Sequence, residues 1–187
     1  MDAIECLLHR VSSPRLDNPA PTSEQQSIIY RSAFRAADHA ALRPWRFLTV
    51  SGDARVKLGQ LFCDAAASSE GVLSVTRKDK LLGMPLRAPL IVVVIARCSE
   101  HTKVPPEEMM LSAGAASQNM LNAAFALGVG AIWRTGEMAY HPLVRHGLGI
   151  TAEEHIVGYI YLGTSALPLR RPSEPSVGDF FTPWGID

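Results

Sequence analysis

The chain lacks most of the features that would assign it to a specialised class of protein. It has three cysteines, Cys6, Cys63 and Cys98, with no Cys-x-x-Cys pair, so the pattern indicates neither a disulfide framework nor a zinc ribbon. Its 18 Lys+Arg residues balance 18 Asp+Glu residues, which excludes a general electrostatic attraction to nucleic acid or to an anionic membrane. A bound phosphate group would therefore have to be held by local cations.

Targeting and membrane signals are also lacking. The first residues include the acidic Asp2 and Glu5, and the apolar residues that follow are too few for a signal peptide. The longest apolar run, from Leu90 to Ala96, is too short to cross a bilayer. These absences predict a cytoplasmic protein.

Signatures of protein-based catalysis are equally scarce. The six histidines form no His-Glu-x-x-His motif, so no metal site is expected, and Ser12 and Ser13 lack the context of a hydrolase nucleophile. The glycines of the segment from Gly128 to Trp133 follow a helix and precede a strand, the reverse of the dinucleotide fingerprint. Because no acid–base pair is evident, the pattern favours chemistry done by a cofactor.

Hydrophobic periodicity predicts an α+β chain that forms a single domain over residues 1–187. The continuous β-branched run from Ala88 to Ala96 is typical of a strand covered on both faces. Thr22 to Gln25 form a candidate capping box at the start of a helix. Helices are predicted at 2–9, 23–37, 53–67, 107–127 and 143–146, and strands at 47–50, 88–96, 131–133 and 156–163.

Two further segments are expected to be covered by other parts of the protein. Small residues from Ala113 to Ser117 allow another backbone to approach the long helix, either in the core or at a subunit contact. The tail 168–187 has no helical period, yet it contains Phe180, Phe181 and Trp184. This tail is expected to pack on its own subunit or to wrap a partner.

Cations and small polar groups follow the first two helices. Arg10 and Ser12 come where the first helix ends, so a guanidinium, a hydroxyl and backbone N–H groups could converge on a phosphate monoester. Arg15 and Arg134 add two further cations. His39 follows the second helix and is either a solvated imidazole or one that contacts a planar ring, and Trp133 is either a core residue or a wall of a flavin site.

The order of these motifs resembles that of the nitroreductase family of flavoenzymes, and the resemblance covers nearly the whole chain. An Arg-x-Ser-x-x-Arg motif is followed by a Pro-Trp segment entering a strand, then by Arg-Ala-Pro before a hydrophobic strand. A long Ala-rich helix ending in Leu-Gly-Val-Gly and a final Tyr-Leu-Gly complete the series. The motifs lie at Arg10–Arg15, Ala36–Trp45, Arg87–Pro89, Leu127–Gly130 and Tyr161–Gly163.

This resemblance implies an interlocked homodimer with a central mixed sheet flanked by helices and with FMN at the subunit interface. In one subunit the FMN would contact Arg10, Val11, Ser12, Trp133, Arg134 and Thr135. The partner subunit would contribute Arg35 and His39, while Arg15 or Arg35 would stabilise the anionic reduced ring. The nicotinamide nucleotide would lie near Ala123, Ala124, Phe125, Ala126, Leu127 and Gly128.

The implied reaction is ping-pong and its chemistry is carried by FMN, so no side chain is assigned as catalytic. NADH or NADPH would reduce FMN by hydride transfer, and the reduced flavin would then reduce a nitro compound, a quinone or a similar small acceptor. The sequence leaves the choice of donor open. It also leaves open a flavin-binding protein of the same fold with little reductase activity.

Overall fold

A computed structural model of the chain describes residues 1–185. It contains six α-helices and five β-strands in this part of the chain, so the α+β class and the helix-flanked sheet are confirmed. The helices are α1 (Ala3–His9), α2 (Ser23–Ala33), α3 (Ala54–Glu70), α4 (Val75–Gly83), α5 (Pro106–Ala126) and α6 (Pro142–Gly147). The strands are β1 (Leu16–Asp17), β2 (Trp45–Ser51), β3 (Leu90–Arg97), β4 (Gly130–Arg134) and β5 (Glu154–Ser165).

Strand β3 lies inside the sheet, between β2 and β5, and seven of its eight residues are buried. The prediction of a strand covered on both faces is therefore confirmed. Strand β4 pairs with β5, and the two-residue β1 pairs with the last residues of β5. The four strand pairings in residues 1–185 are all antiparallel. The resemblance implies a mixed sheet, and within a single chain this sheet is antiparallel.

Side chains of β3 alternate between two hydrophobic cores, one on each face of the sheet. Ile91, Val93 and Ile95 pack with α3, α4 and α6. Val92 and Val94 pack with α2 and α5 on the opposite face. The sheet is thus enclosed by two helical layers, which explains why this strand is apolar from Leu90 to Ala96.

Helix α5 is the longest element and packs on the sheet beside α2. It begins at Pro106, where the missing N–H of proline costs no helical hydrogen bond, and Glu107 and Glu108 occupy its first turn. It ends before Gly128, which has a φ of 71°, a conformation that suits glycine after a helix. The predicted helix stop at Gly128 is confirmed.

Helices α2 and α4 differ from the sequence prediction. Helix α2 has the predicted capping box between Thr22 and Gln25, but it ends at Ala33 and continues to Ala36 only in tighter turns with i to i−3 hydrogen bonds. Helix α4 was not predicted, because it is a short and mostly polar segment in which Leu81 is the one buried residue. Ser74 caps its first turn by accepting a hydrogen bond from the Arg77 N–H.

The aromatic tail does not pack on its own subunit, so this half of the prediction is wrong. Phe180, Phe181 and Trp184 are 73%, 75% and 98% exposed. After Ser165 the chain leaves the sheet, and the part of the tail up to residue 185 contains one short helical turn at Val177–Asp179. The alternative, a tail that wraps a partner, stays a prediction.

Candidate functional site

The segment after α1 lies against the edge of the sheet. Arg10 ends the helix by donating its backbone N–H to the Cys6 carbonyl at 3.0 Å, and the Ser13 N–H donates to the Ala131 carbonyl of β4 at 2.9 Å. Ser13 is buried, whereas Ser12 is exposed and Val11 is half-buried. These bonds hold the side chains of residues 10–12 beside β4, as the phosphate-site prediction requires.

A cluster of three arginines lies next to this segment. Arg15, Arg87 and Arg134 line a cleft of about 410 Å³ together with residues of β1. Arg87 was missed as a site residue, because in the sequence it is only part of the Arg-Ala-Pro motif that precedes β3. The fold brings it to Arg15 and Arg134 from a distant part of the chain.

Arg134 has an unusual environment within this cluster. Its Nη2 donates to the Pro14 carbonyl at 3.2 Å, and its guanidinium lies 5.8 Å from the centre of the Tyr161 ring. Its Nε is buried and has no hydrogen-bond partner among residues 1–185. A buried donor without a partner costs free energy, so this atom is suited to a ligand that accepts a hydrogen bond.

Trp133 lies partly in the core and partly at an open groove. Its ring packs against the core between the sheet and α5, and its Nε1 donates to the Val157 carbonyl at 3.4 Å. The ring also lines a largely apolar groove of about 650 Å³ with Met110, Gly114 and Tyr140. Thr135 follows directly after β4 and is exposed.

The predicted nicotinamide segment occupies the last turn of α5 and the residues after it. Ala124 is fully buried and Ala123 packs against the same core, so both are held within the protein. Phe125 and Gly128 line a cavity of about 40 Å³ that also contacts Arg10. Ala126 is exposed and Leu127 is half-buried. The end of α5 therefore adjoins the Arg10 segment.

Arg35 and His39 do not line the cavities that contain Arg10 and Arg134. Arg35 lines a cleft of about 950 Å³ with Arg31, Arg43 and Arg97, so four guanidinium groups share one depression. His39 lies in the short turn before β2, where its Nδ1 is 2.6 Å from Glu108 Oε2. Glu108 lies in the first turn of α5.

His39 and the Arg10 cavity lie at opposite ends of α5. His39 contacts Glu108 in the first turn, whereas the Arg10 cavity contacts Phe125 in the last turn. A rise of 1.5 Å per residue separates these two turns by about 26 Å. Arg35 follows Ser32, whose carbonyl accepts a hydrogen bond from Asn119 further along α5. The fold of one chain therefore places Arg15 and Arg134 in one cleft near the Arg10 segment and leaves His39 far from that segment.

An ion-pair cluster joins the start of β5 to β2. The Arg46 guanidinium donates to both carboxylate oxygens of Glu154, at 2.6 and 2.7 Å, and the Thr151 N–H donates to the same carboxylate at 3.1 Å. These bonds, chiefly the bond from Arg46, hold the pKa of Glu154 below its ordinary value. Glu154 is only 5% exposed, so this cluster has a structural role.

Neither a metal centre nor a membrane span is found in the described part of the chain. Residues 1–185 contain no group of three or more His, Cys, Asp or Glu side chains placed to hold a metal ion. No helix among them is both long and apolar enough to cross a membrane.

Comparison with known proteins gives consistent matches over most of the chain. The nitroreductase family model matches residues 7–164. YdjA of Escherichia coli strain K12, named provisionally as an NAD(P)H nitroreductase, is 41% identical over 171 residues, which cover 89% of this chain and 90% of that protein. A relative from Haemophilus influenzae with a similar provisional name is 33% identical over 172 residues, covering 91% and 92% of the two chains.

Solved structures share the fold. A nitroreductase-like protein from Bacillus cereus superposes with a TM-score of 0.85 at 21% identity, covering 97% of this chain and 95% of that one. A nitroreductase from Bacteroides fragilis, crystallised with bound FMN, gives a TM-score of 0.73 at 18% identity, covering 97% and 98%. The family match and the sequence identity to YdjA agree with the fold, and the chain belongs to the nitroreductase family.

Proposed function

We propose that the protein is an FMN-dependent NAD(P)H oxidoreductase that reduces nitro compounds, quinones or similar small acceptors. The observation that carries the proposal is the buried Nε of Arg134, which has no partner in residues 1–185, in a residue that lines one cleft with Arg15 and Arg87. A buried donor among cations is suited to an anionic ligand. Membership of the nitroreductase family and the FMN in the Bacteroides fragilis structure support FMN as this ligand.

The residues around Arg134 have the chemistry that an FMN molecule needs. Arg10 and Ser12 would bind the phosphate, because they offer a guanidinium and a hydroxyl beside backbone that is held to β4. Arg134 and Arg15 would place positive charge near the ring edge that becomes negative on reduction. Trp133, Val11 and Thr135 would complete the cofactor contacts. The bound flavin would supply the redox chemistry, and the protein would supply position and charge.

The position of His39 supports a homodimer with FMN at the subunit interface. His39 and the Arg10 cavity are about 26 Å apart along α5, which is longer than an FMN molecule. Both can contact the same flavin only if the second chain supplies one of them. The exposed Phe180, Phe181 and Trp184 support the same arrangement, since large exposed apolar side chains mark surfaces that a partner covers.

We further propose that donor and acceptor use the same pocket in turn. NADH or NADPH would lie near the end of α5, where Phe125 and Gly128 adjoin the Arg10 segment. Departure of the oxidised nucleotide would then free the pocket for the acceptor, as in a ping-pong reaction.

The proposal is tested by the visible spectrum of the purified protein, recorded anaerobically before and after NADPH or NADH. Flavin bands should bleach with one or both nucleotides and return when a nitroaromatic compound is added. Arg10→Ala should release FMN, because the phosphate loses its charge-assisted partner, whereas His39→Ala should retain FMN and change turnover. Bands that persist with both nucleotides would favour the flavin-binding alternative. A colourless protein that FMN does not reconstitute would overturn both functions.

A further inference from the structure

The turn that carries His39 has a strained backbone. Ala40, Ala41 and Arg43 have positive φ angles of 60°, 52° and 50°, a region that residues with a Cβ seldom adopt. None of the three is glycine, asparagine or aspartate, the residues that tolerate this conformation best. Such a segment persists only where its surroundings hold it, and strain of this kind is concentrated at functional sites.

Two carboxylates hold this turn in place. Asp38 accepts a hydrogen bond from the Arg43 N–H at 2.7 Å, and its own carbonyl accepts one from the Ala41 N–H at 3.3 Å. Glu108, which is 69 residues away in the chain, reaches His39 from the first turn of α5. The first carboxylate shapes the turn, and the second ties its imidazole to the rigid start of a 21-residue helix.

The pair between His39 and Glu108 is poorly placed to stabilise the fold. The two side chains are 55% and 45% exposed, and ion pairs in contact with water contribute little to stability. Its geometry instead determines the state of the imidazole. A carboxylate is an acceptor, so at 2.6 Å from Nδ1 it requires a proton on that nitrogen. Nε2 has no hydrogen-bond partner within residues 1–185 and is available to a ligand.

We propose that Glu108 is a positioning residue, which fixes the proton of His39 on Nδ1 and presents Nε2 to the flavin held by the partner subunit. This inference rests on the proposed function, because it assumes that His39 meets the cofactor of a second chain. It adds a residue that the sequence analysis did not assign. It also gives the strained turn a role, which is to place the imidazole at the start of α5.

The test compares Glu108→Gln with Glu107→Gln. Glu107 is the neighbouring exposed carboxylate in the same helical turn, and it makes no hydrogen bond to His39, so it controls for the loss of one negative charge. Nitrogen NMR of the flavin-free protein reports which ring nitrogen of His39 carries the proton at a pH where the ring is neutral. Wild type and Glu107→Gln should both show the Nδ1–H form, whereas Glu108→Gln should show a mixture of both tautomers.

Turnover in a double-mutant cycle supplies the second readout. Glu108→Gln should lower turnover about fivefold at unchanged flavin content, because a charge-assisted hydrogen bond becomes a neutral one. The same substitution should have no effect in a His39→Ala background. An equal loss in both backgrounds, or a wild-type His39 with its proton on Nε2, would overturn the proposal. If FMN does not bind to wild type, the proposed function fails, and the NMR result still decides whether Glu108 fixes the imidazole.

Discussion

Gly158 determines where the Trp133 ring can lie, and substitution by alanine is the sharpest test of the packing beneath the candidate site. Gly158 lies in β5 opposite Val94, next to a register shift between Val94 and Ile95. A Cβ added at this position would overlap the indole Nε1 of Trp133, and it would lie 2.7 Å from Cδ1 of the same ring and 2.9 Å from the Arg134 carbonyl. The ring and the end of β4 must therefore move together.

The expected cost of Gly158→Ala combines two effects. Adding a methyl group to a packed interior costs about 1–3 kcal/mol, because side chains and backbone are displaced. Displacement of the indole also breaks its hydrogen bond to the Val157 carbonyl, a loss of about 1 kcal/mol. We therefore expect the free energy of unfolding to fall by about 3 kcal/mol. Because Arg134 follows Trp133 directly, displacement of Trp133 should also move Arg134 and lower the affinity for FMN.

Gly114→Ala is a matched control, since its added Cβ would meet the same indole. That Cβ would lie 3.9 Å from Cη2 of Trp133, which is an ordinary contact. Gly114 lies inside α5, so alanine there should raise stability by about 0.5–1 kcal/mol through its helix propensity. Urea unfolding followed by circular dichroism measures both variants. A Gly158→Ala protein within about 0.5 kcal/mol of wild type would refute the reasoning.

Two further predictions concern the ion pair of Glu154 and the core that packs against α3. The pKa of Glu154 is lowered by folding, so its contribution to stability is complete above its unfolded pKa near 4.5 and is lost as the pH falls through the folded pKa. Acid unfolding should therefore be less steep for Glu154→Gln than for wild type in a stability profile from pH 7 to pH 2. Phe62 is 1% exposed, and its ring lies edge-on to the Tyr159 ring with 5.7 Å between the ring centres. Phe62→Ala should therefore lower the free energy of unfolding by about 4 kcal/mol. Val56→Ala, at a half-exposed position, should lower it by less than about 1 kcal/mol in the same denaturant titration.

The elements that could be predicted from the sequence are those with a strong local pattern. Strand β3 is a continuous β-branched run, and helix α5 has a broad apolar stripe with a glycine stop, so each was located within two residues at either end. Helix α4 offers one buried leucine and was missed. The two-residue strand β1 is defined only by its pairing with β5, and no local pattern indicates such an element.

Single residues of the candidate site could be predicted from the sequence, whereas the contacts that bring them together could not. Arg10 and Arg134 were singled out because each is a cation at the end of an element. The backbone bond from Ser13 to Ala131, which brings those two segments together, joins residues 118 positions apart and has no local signal. Arg87 and Glu108 were missed for the same reason, since each meets its neighbours only through tertiary folding.

The length of α5 has a consequence for mixtures of defective chains. For a flavin shared between two subunits, an Arg10→Ala chain and a His39→Ala chain are each deficient in both sites of their own homodimer. In a mixed dimer, however, one site contains both substitutions. The other site contains the intact Arg10 of one chain and the intact His39 of its partner. Random reassembly of equal amounts should therefore restore about a quarter of the sites, by the statistics of pairing in a two-fold dimer. Because α5 keeps Arg10 and His39 of one chain apart, each defective chain would supply the residue that the other chain lacks.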